Sequence, residues 1–223
     1  MNQPSEQYDA GELVHVSVNA DTIEGNLSIP DGAEGVVLFA HGAGSSRQSP
    51  RNNFVAEKLR EGGLATLLID LLTPEEKEVD RRTRRIRFDI DRLAERVVGT
   101  IDWLQEQPET RELNLGVFGS STGAAGALIG GARRPEAVQA VVSRGGRVDM
   151  AEAFLGEVQA PSLFIVGGKD TQVLELNREA FEQLEVEKLL EVVSGAGHLF
   201  EEPGALDEVA ELARDWFKTH LET

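Results

Sequence analysis

The sequence predicts a single α/β domain whose helices cover both faces of a mostly parallel sheet of about eight strands. The first observation is that short apolar runs alternate with longer stretches of helical periodicity. The second is that most of these runs are apolar at nearly every position, as strands buried on both faces are. The third is the length of 223 residues without a linker or internal repeat, which indicates one domain over 1–223.

Apolar runs predict the strands of this sheet. The parallel strands are expected at 36–40, 65–69, 113–118, 137–142, 162–166 and 189–193. Ahead of them, apolar and polar residues alternate in 12–18 and 22–29, which predicts an antiparallel hairpin at the N-terminal edge of the sheet.

Helical periodicity fills the intervals between the strands. Helices are expected at 52–61, 86–105, 122–133, 173–184 and 205–221, with a short one at 149–155. Apolar residues recur at three- and four-residue spacing in the last long helix, so this helix can lie against the sheet.

Composition excludes several functional classes. The chain has 22 Lys and Arg against 39 Asp and Glu, a formal charge of −17, and no cysteine. The negative field argues against nucleic-acid binding, and the missing thiols exclude disulfides and cysteine nucleophiles. The first twelve residues lack a secretory signal pattern, and the apolar runs are shorter than the roughly 20 residues of a membrane span. We expect a cytoplasmic protein with no nucleic-acid or membrane partner; its oligomeric state is not predicted.

One motif carries the chemistry of a nucleophile. The strand predicted at 113–118 runs into Gly119-Ser120-Ser121-Thr122-Gly123 and then directly into a helix. G-x-S-x-G between a strand and a helix is the pattern of a nucleophile elbow. Its glycines permit a turn too tight for a Cβ atom. Ser121 would stand beside the helix N-terminus, where the dipole favours developing negative charge.

A serine hydroxyl needs an adjacent base, and that base needs a carboxylate to orient it. His198 lies in a glycine-rich loop after the last predicted strand, and Asp170 follows the strand at 162–166. Asp149 follows the preceding strand and is the alternative acid. Because ligands bind at the carboxyl ends of parallel strands, we predict Ser121 as nucleophile, His198 as base and Asp170 as acid.

Backbone N–H groups would complete the site by stabilising an oxyanion. The strand at 36–40 ends in a loop of small residues, His41-Gly42-Ala43-Gly44-Ser45-Ser46. The predicted donors are the N–H groups of Ala43 and Thr122. We expect His41 to brace this loop by hydrogen bonding instead of transferring protons.

Taken together, these segments resemble the α/β-hydrolase superfamily. The segments are His41-Gly42-Ala43-Gly44, Gly119-Ser120-Ser121-Thr122-Gly123, Gly167-Gly168-Lys169-Asp170 and Gly197-His198. Within the superfamily the chain is most similar to the dienelactone-hydrolase-like group, which includes domains joined to phosphoribosyltransferases. The resemblance covers nearly the whole chain and implies the three-layer α/β-hydrolase fold, a Ser-His-Asp triad, and no cofactor or metal. Dienelactone hydrolases proper use a cysteine, which this chain lacks, so their substrate does not follow from the fold.

The predicted function is a serine hydrolase that cleaves small carboxylic esters through an acyl-enzyme on Ser121. The stretch 143–161 is too short for a large cap, so we expect a shallow, open pocket for small, activated or short-chain esters. An acyltransferase or a thioesterase could use the same triad. A protein of another class, a catalytically weak or engineered binding module with this fold, is the remaining alternative.

Two arginines follow the strand at 137–142. Arg144 and Arg147 lie in Ser143-Arg144-Gly145-Gly146-Arg147, and one of them could reach the rim of the site and bind a substrate carboxylate. Pairing with local acids is the alternative interpretation. The basic run 81–87, beside an acidic stretch, is expected to form a solvated, mutually paired surface.

Overall fold

A computed structural model describes residues 11–222, so the expectation about an N-terminal signal falls on residues that lie largely outside it. The strands are β1 (Glu12–Val18), β2 (Asp21–Ser28), β3 (Gly35–Ala40), β4 (Leu64–Ile69), β5 (Asn114–Ser120), β6 (Val138–Arg144), β7 (Ser162–Gly167) and β8 (Lys188–Val193). They form one eight-stranded sheet in the order β1-β2-β4-β3-β5-β6-β7-β8. β2 pairs antiparallel with β1 and β4, and the other neighbours are parallel. The predicted fold class and edge hairpin are confirmed.

Six α-helices lie between or after the strands within the described residues. They are α1 (Pro50–Glu61), α2 (Pro74–Thr83), α3 (Ile90–Glu106), α4 (Thr122–Arg133), α5 (Thr171–Gln183) and α6 (Ala205–Leu221), with 3-10 helices at Ile86–Phe88 and Val148–Glu157. α4 and α6 coincide with their predicted bounds. The helix predicted from residue 86 begins instead at Ile90, because the Asp89 side chain caps it by accepting a hydrogen bond from the Arg92 N–H. The short helix predicted at 149–155 is a 3-10 helix.

Helix α2 is the element that the sequence analysis missed. Thr73 caps its N-terminus, and Glu76 returns a hydrogen bond to the Thr73 N–H, which is a complete capping box. Pro74 occupies the first helical position, where its missing N–H costs nothing. The signal was present in the sequence, but the charged composition of this stretch obscured it.

The sheet separates two helical layers. α1 and α6 pack on one face through an apolar cluster that includes Val55, Leu59 and Phe217. α3 and α4 pack on the other face with residues such as Val97 and Leu128, and α5 joins them there. Every residue of β3, β4 and β7 is buried. Polar side chains that could bind a ligand are therefore expected in the loops at the carboxyl ends of the strands. Within residues 11–222, no helix is long and apolar enough to cross a bilayer.

Candidate active site

The turn between β5 and α4 holds Ser121 in a conformation that side chains rarely adopt. Its φ is 51° and its ψ is −122°, a strained backbone that persists only where the surroundings fix it. A Cβ on Gly119 would lie 2.4 Å from the Ala124 Cα, and one on Gly123 would lie 2.2 Å from the Ala40 oxygen. Close packing of the chain on both sides of the serine therefore requires both glycines of the motif.

Backbone hydrogen bonds from the loop after β6 fix the elbow further. The Ser121 N–H donates to the Arg144 oxygen at 3.1 Å, and the Arg147 N–H donates to the Ser121 oxygen at 3.0 Å. The loop that contains the two arginines thus also sets the position of the predicted nucleophile.

The predicted base and acid lie within hydrogen-bond distance of each other. His198 Nδ1 lies 2.6 Å from Asp170 Oδ2. The Asp170 side chain is mostly buried, whereas the His198 side chain is 39% exposed. Asp149 instead accepts two hydrogen bonds from the Arg147 guanidinium, at 2.9 and 2.8 Å. The geometry brings Asp170, and not Asp149, to His198.

Contacts between neighbouring loops position His198. The Lys169 N–H donates to the Ala196 oxygen at 2.8 Å, which ties the Asp170 loop to the His198 loop. The Glu202 carboxylate accepts from the Gly197 N–H at 3.0 and 3.1 Å, and this bond lowers the pKa of Glu202. Sequence reasoning missed Glu202, since a glutamate five residues after a glycine has no distinctive pattern.

Ser121 and His198 share a cavity of about 220 Å³. Its lining is formed by Gly42, Ala43, Ser45, Ser49, Arg51, Ser120, Ser121, Arg144, His198 and Leu199. Arg51, in the first turn of α1, is a lining residue that the sequence analysis did not select.

A second cavity of about 520 Å³ adjoins the first and shares Gly42, Ala43, Ser45 and Ser49 with it. Leu71, Leu72 and Leu93 give this cavity an apolar side, and Lys77 and Arg81 of α2 give it a basic side. α2 and the residues beside it form one wall of this cavity, where no helix was predicted. The expectation of a shallow, open pocket stays a prediction.

The loop after β3 lies against the nucleophile. A Cβ on Gly42 would be 2.9 Å from the Ser121 Cβ. The next residue, Ala43, has a backbone N–H that donates no hydrogen bond within residues 11–222. Thr122 begins α4, where the first N–H groups have no partner inside the helix. Both predicted oxyanion donors are thus on segments that border Ser121.

His41 braces this loop, as expected. Its Nδ1 donates to the Gly42 oxygen at 2.8 Å, and its Nε2 accepts from the Leu71 N–H at 3.1 Å. Burial lowers the pKa of His41, in keeping with a neutral ring whose two nitrogens are both engaged.

The two predicted rim arginines have different surroundings. Arg147 forms its paired contact with Asp149, which raises the pKa of Arg147. Arg144 lines the cavity that Ser121 and His198 share, and it is buried. No cluster of three or more potential ligands within 11–222 could hold a metal ion.

Comparison with solved structures finds other proteins that have this fold. A dienelactone hydrolase from Anabaena variabilis is 58% identical, with a TM-score of 0.93 over 95% of this chain and 98% of the other. Est1E from Butyrivibrio proteoclasticus is 14% identical with a TM-score of 0.78, over 93% of this chain and 98% of the other, and shares the fold.

Two curated relatives match this chain over part of their own, longer sequences. Two Mycobacterium tuberculosis proteins, named for a proposed phosphoribosyl transferase activity, are 52% identical over 210 residues. The match covers 94% of this chain and 46% of each relative, so the chain spans about half the length of these relatives. The family model of the dienelactone hydrolase family matches residues 23–223. With nearly all of its sheet, its elbow and its His198 loop inside that match, the chain belongs to the dienelactone hydrolase family.

Proposed function

We propose that this protein is a serine hydrolase that cleaves small carboxylic esters through an acyl-enzyme on Ser121. The observation that carries the proposal is the 2.6 Å contact between His198 and Asp170 at the cavity that Ser121 and His198 line together. Membership of a hydrolase family supports the reaction class. The choice of serine as nucleophile rests on the residue that occupies the elbow.

The reaction would begin with proton transfer from the Ser121 hydroxyl to His198 Nε2 as the oxygen attacks the ester carbonyl. Asp170 orients the ring through Nδ1 and stabilises its cation. The N–H groups of Ala43 and Thr122 would stabilise the oxyanion of the tetrahedral intermediate. The intermediate collapses when His198 gives its proton to the departing alcohol, which leaves the acyl group on Ser121. Water then attacks the acyl carbon as His198 takes its proton, and the second tetrahedral intermediate collapses when His198 returns that proton to the Ser121 oxygen, which releases the acid and restores the serine.

The cavities set the size of the proposed substrate. The catalytic cavity of about 220 Å³ suits a small group on one side of the scissile bond. The adjoining cavity of about 520 Å³ has room for a larger group with apolar and polar parts. This arrangement favours compact esters over long acyl chains.

Trapping the acyl-enzyme tests this proposal. The protein is mixed rapidly with 4-nitrophenyl acetate, quenched and digested, and the acetylated peptide is located by mass spectrometry. We expect a burst of nitrophenol and an acetyl group on Ser121 in the wild type and in the matched control Ser120→Ala. Neither should occur in Ser121→Ala.

Acetylation at another residue, or turnover that Ser121→Ala retains, would refute the proposal. Added alcohols and a thioester substrate extend the test to the neighbouring chemistries. An ester hydrolase releases acid at nearly the same rate with and without the alcohol. If the alcohol captures most of the acyl group, the protein is an acyltransferase; if the thioester is much the better substrate, it is a thioesterase.

A further inference from the structure

Within residues 11–222, a buried guanidinium beside Ser121 has no acidic partner. Arg144 is 7% exposed, and its Nε and Nη1 have no hydrogen-bond partner within residues 11–222. Burial and the neighbouring Arg51 lower the pKa of Arg144 to about 10, so its side chain remains charged at neutral pH. A buried, unpaired charge is costly. Such a residue is expected where a ligand supplies the missing anion.

The position of Arg144 connects this charge to the catalytic cavity. Arg144 ends β6 and is aligned with Ser120 of β5, one residue before the nucleophile. It lines the same cavity as Ser121. Its guanidinium carbon lies 5.9 Å from the centre of the Phe200 ring, a contact that supports the cation from one side.

Arg51 brings a second cation to this cavity. Its Nε is buried without a hydrogen-bond partner within the described residues. Its Nη1 contacts Glu201 at 3.2 Å, but the Glu201 side chain is 69% exposed and offsets the charge weakly. No acidic residue lines the cavity among those described. Ser49, the N-cap of α1, also lines it, so the positive end of that helix dipole faces the same space.

We propose that Arg144 and Arg51 bind a phosphate group of the substrate. The molecule whose carboxylic ester is cleaved at Ser121 would then also carry a phosphomonoester group, which stays intact. A carboxylate is satisfied by one bidentate guanidinium, whereas a phosphate carries close to two charges and offers three acceptor oxygens. Two guanidiniums and a helix N-terminus around one small cavity match the phosphate. The anion site stands on the geometry of Arg144, Arg51 and the N-terminus of α1; its use in turnover rests on the proposed function.

Arg147 provides the matched control. It lies three residues from Arg144 in the same loop, but its guanidinium is already paired with Asp149 and it is absent from the cavity lining. Replacing each arginine with methionine keeps an unbranched side chain of similar length while removing the charge.

Ligand-induced thermal stabilisation tests the anion site without requiring turnover. Three probes share one ring and differ in their head group: phenyl phosphate, benzoate and benzamide. At constant ionic strength, phenyl phosphate should raise the Tm of the wild type and of Arg147→Met more than benzoate does, and benzamide should leave it unchanged. Arg144→Met should lose the response. An equal response in Arg144→Met, a larger response to benzoate, or no response in the wild type would overturn the proposal.

Turnover gives an independent readout. The ratio of kcat/KM for 3-acetoxyphenyl phosphate to that for the neutral 3-acetoxybenzamide is compared between wild type and variants. Loss of one charge-assisted contact should lower this ratio about 10- to 100-fold in Arg144→Met, while Arg147→Met keeps the ratio of the wild type. An unchanged ratio in Arg144→Met would refute a role of the site in substrate selection. If Ser121 carries no acyl group while phosphate binding still depends on Arg144, the proposed function fails and the anion site stands.

Discussion

Steric crowding shapes the nucleophile elbow, whereas paired charges shape the stretch from Thr73 to Arg96, here called the charged segment. At the elbow, two glycines allow backbone segments to approach so closely that no Cβ would fit. In the charged segment, Asp80 pairs with Arg87 at 2.7 Å, and Glu76 pairs with Arg92 and Arg96. Both regions border the cavities around Ser121. The elbow should therefore respond to changes of volume, and the charged segment to changes of charge and salt.

The charged segment reaches the loop after β3 through one side chain. A Cβ on Gly44 would lie 2.6 Å from Arg87 Nη1, so Arg87 packs on the loop that contains Ala43. Hydrogen bonds from the Arg87 N–H and guanidinium hold Asp80 ionised; burial opposes this, but the bonds prevail and lower the pKa of Asp80. The ion pair thereby links α2 to the proposed oxyanion donor.

The largest effect is expected at the reacting groups of the elbow and its base. Ser121→Ala and His198→Ala should each lower kcat/KM for an activated ester by about 10⁴- to 10⁶-fold, because neither group acts without the other. The double variant should be about as slow as either single variant. Steady-state kinetics check this, and losses that multiply would show that the two residues do not form one unit.

Replacing the predicted acid, Asp170, should have the next largest effect. Asp170→Asn should lower kcat by about 10⁴-fold, because the amide favours the wrong tautomer of His198. Asp149→Asn is the matched control, since Asp149 binds Arg147 instead of His198. A severe loss in Asp149→Asn with a mild one in Asp170→Asn would reverse the assignment.

Added volume at the elbow tests its steric origin. In Gly123→Ala the new methyl group would meet the Ala40 oxygen at 2.2 Å, so the free energy of unfolding should fall by about 1–3 kcal/mol. Gly156→Ala is the control, because nothing lies within 4 Å of a Cβ there. Urea denaturation measures both, and equal stability of the two variants would show that the elbow tolerates the added atom.

Removing charge from the charged segment should have a milder effect. Asp80→Asn removes the ion pair that anchors Arg87, so KM for a compact ester should rise about fivefold with kcat less affected. Glu61→Gln is the control, because Glu61 pairs with Lys58 on the exposed side of α1 and neither residue lines the two cavities. High salt should raise the KM of the wild type toward that of Asp80→Asn. If salt and the substitution leave KM unchanged, the charged segment does not position the loop.

The smallest effect concerns pH and His41. Burial lowers its folded pKa below the ordinary value of 6.5, so the unfolded chain binds the proton more tightly. The free energy of unfolding should therefore decline as pH falls below about 6.5 and be independent of this group above it. His41→Gln should be less stable at neutral pH and flatten this slope, as measured by urea denaturation across pH. An unchanged slope would show that another group titrates.

The elbow and the charged segment also differ in how well the sequence predicts them. The elbow was predictable because its signals are local: a strand, G-x-S-x-G and a helix follow one another within a few residues. The proximity of Asp170 and His198 was predictable because parallel strands bring their carboxyl ends together. Helix α2 has a local signal too, the capping box at Thr73, but its charges resemble those of any solvated surface.

Features that depend on distant residues could not be predicted. Arg51 lies 93 positions before Arg144 in the printed sequence, and the pair meets only because α1 begins beside the end of β6. Likewise, the guanidinium of Arg147 is paired with Asp149, whereas two nitrogens of the Arg144 guanidinium have no hydrogen-bond partner within the described residues. The two arginines nevertheless belong to one short loop. Pairing in three dimensions, and not residue type, separates these two arginines.

Covalent labelling with a fluorophosphonate shows directly whether the serine at the elbow is activated. The folded protein is treated with the probe, and the modified peptide is located by mass spectrometry, with His198→Ala as the control. We predict one adduct, on Ser121, that is lost or strongly slowed in His198→Ala. An unmodified Ser121 in folded wild-type protein, or labelling that does not depend on His198, would contradict the account.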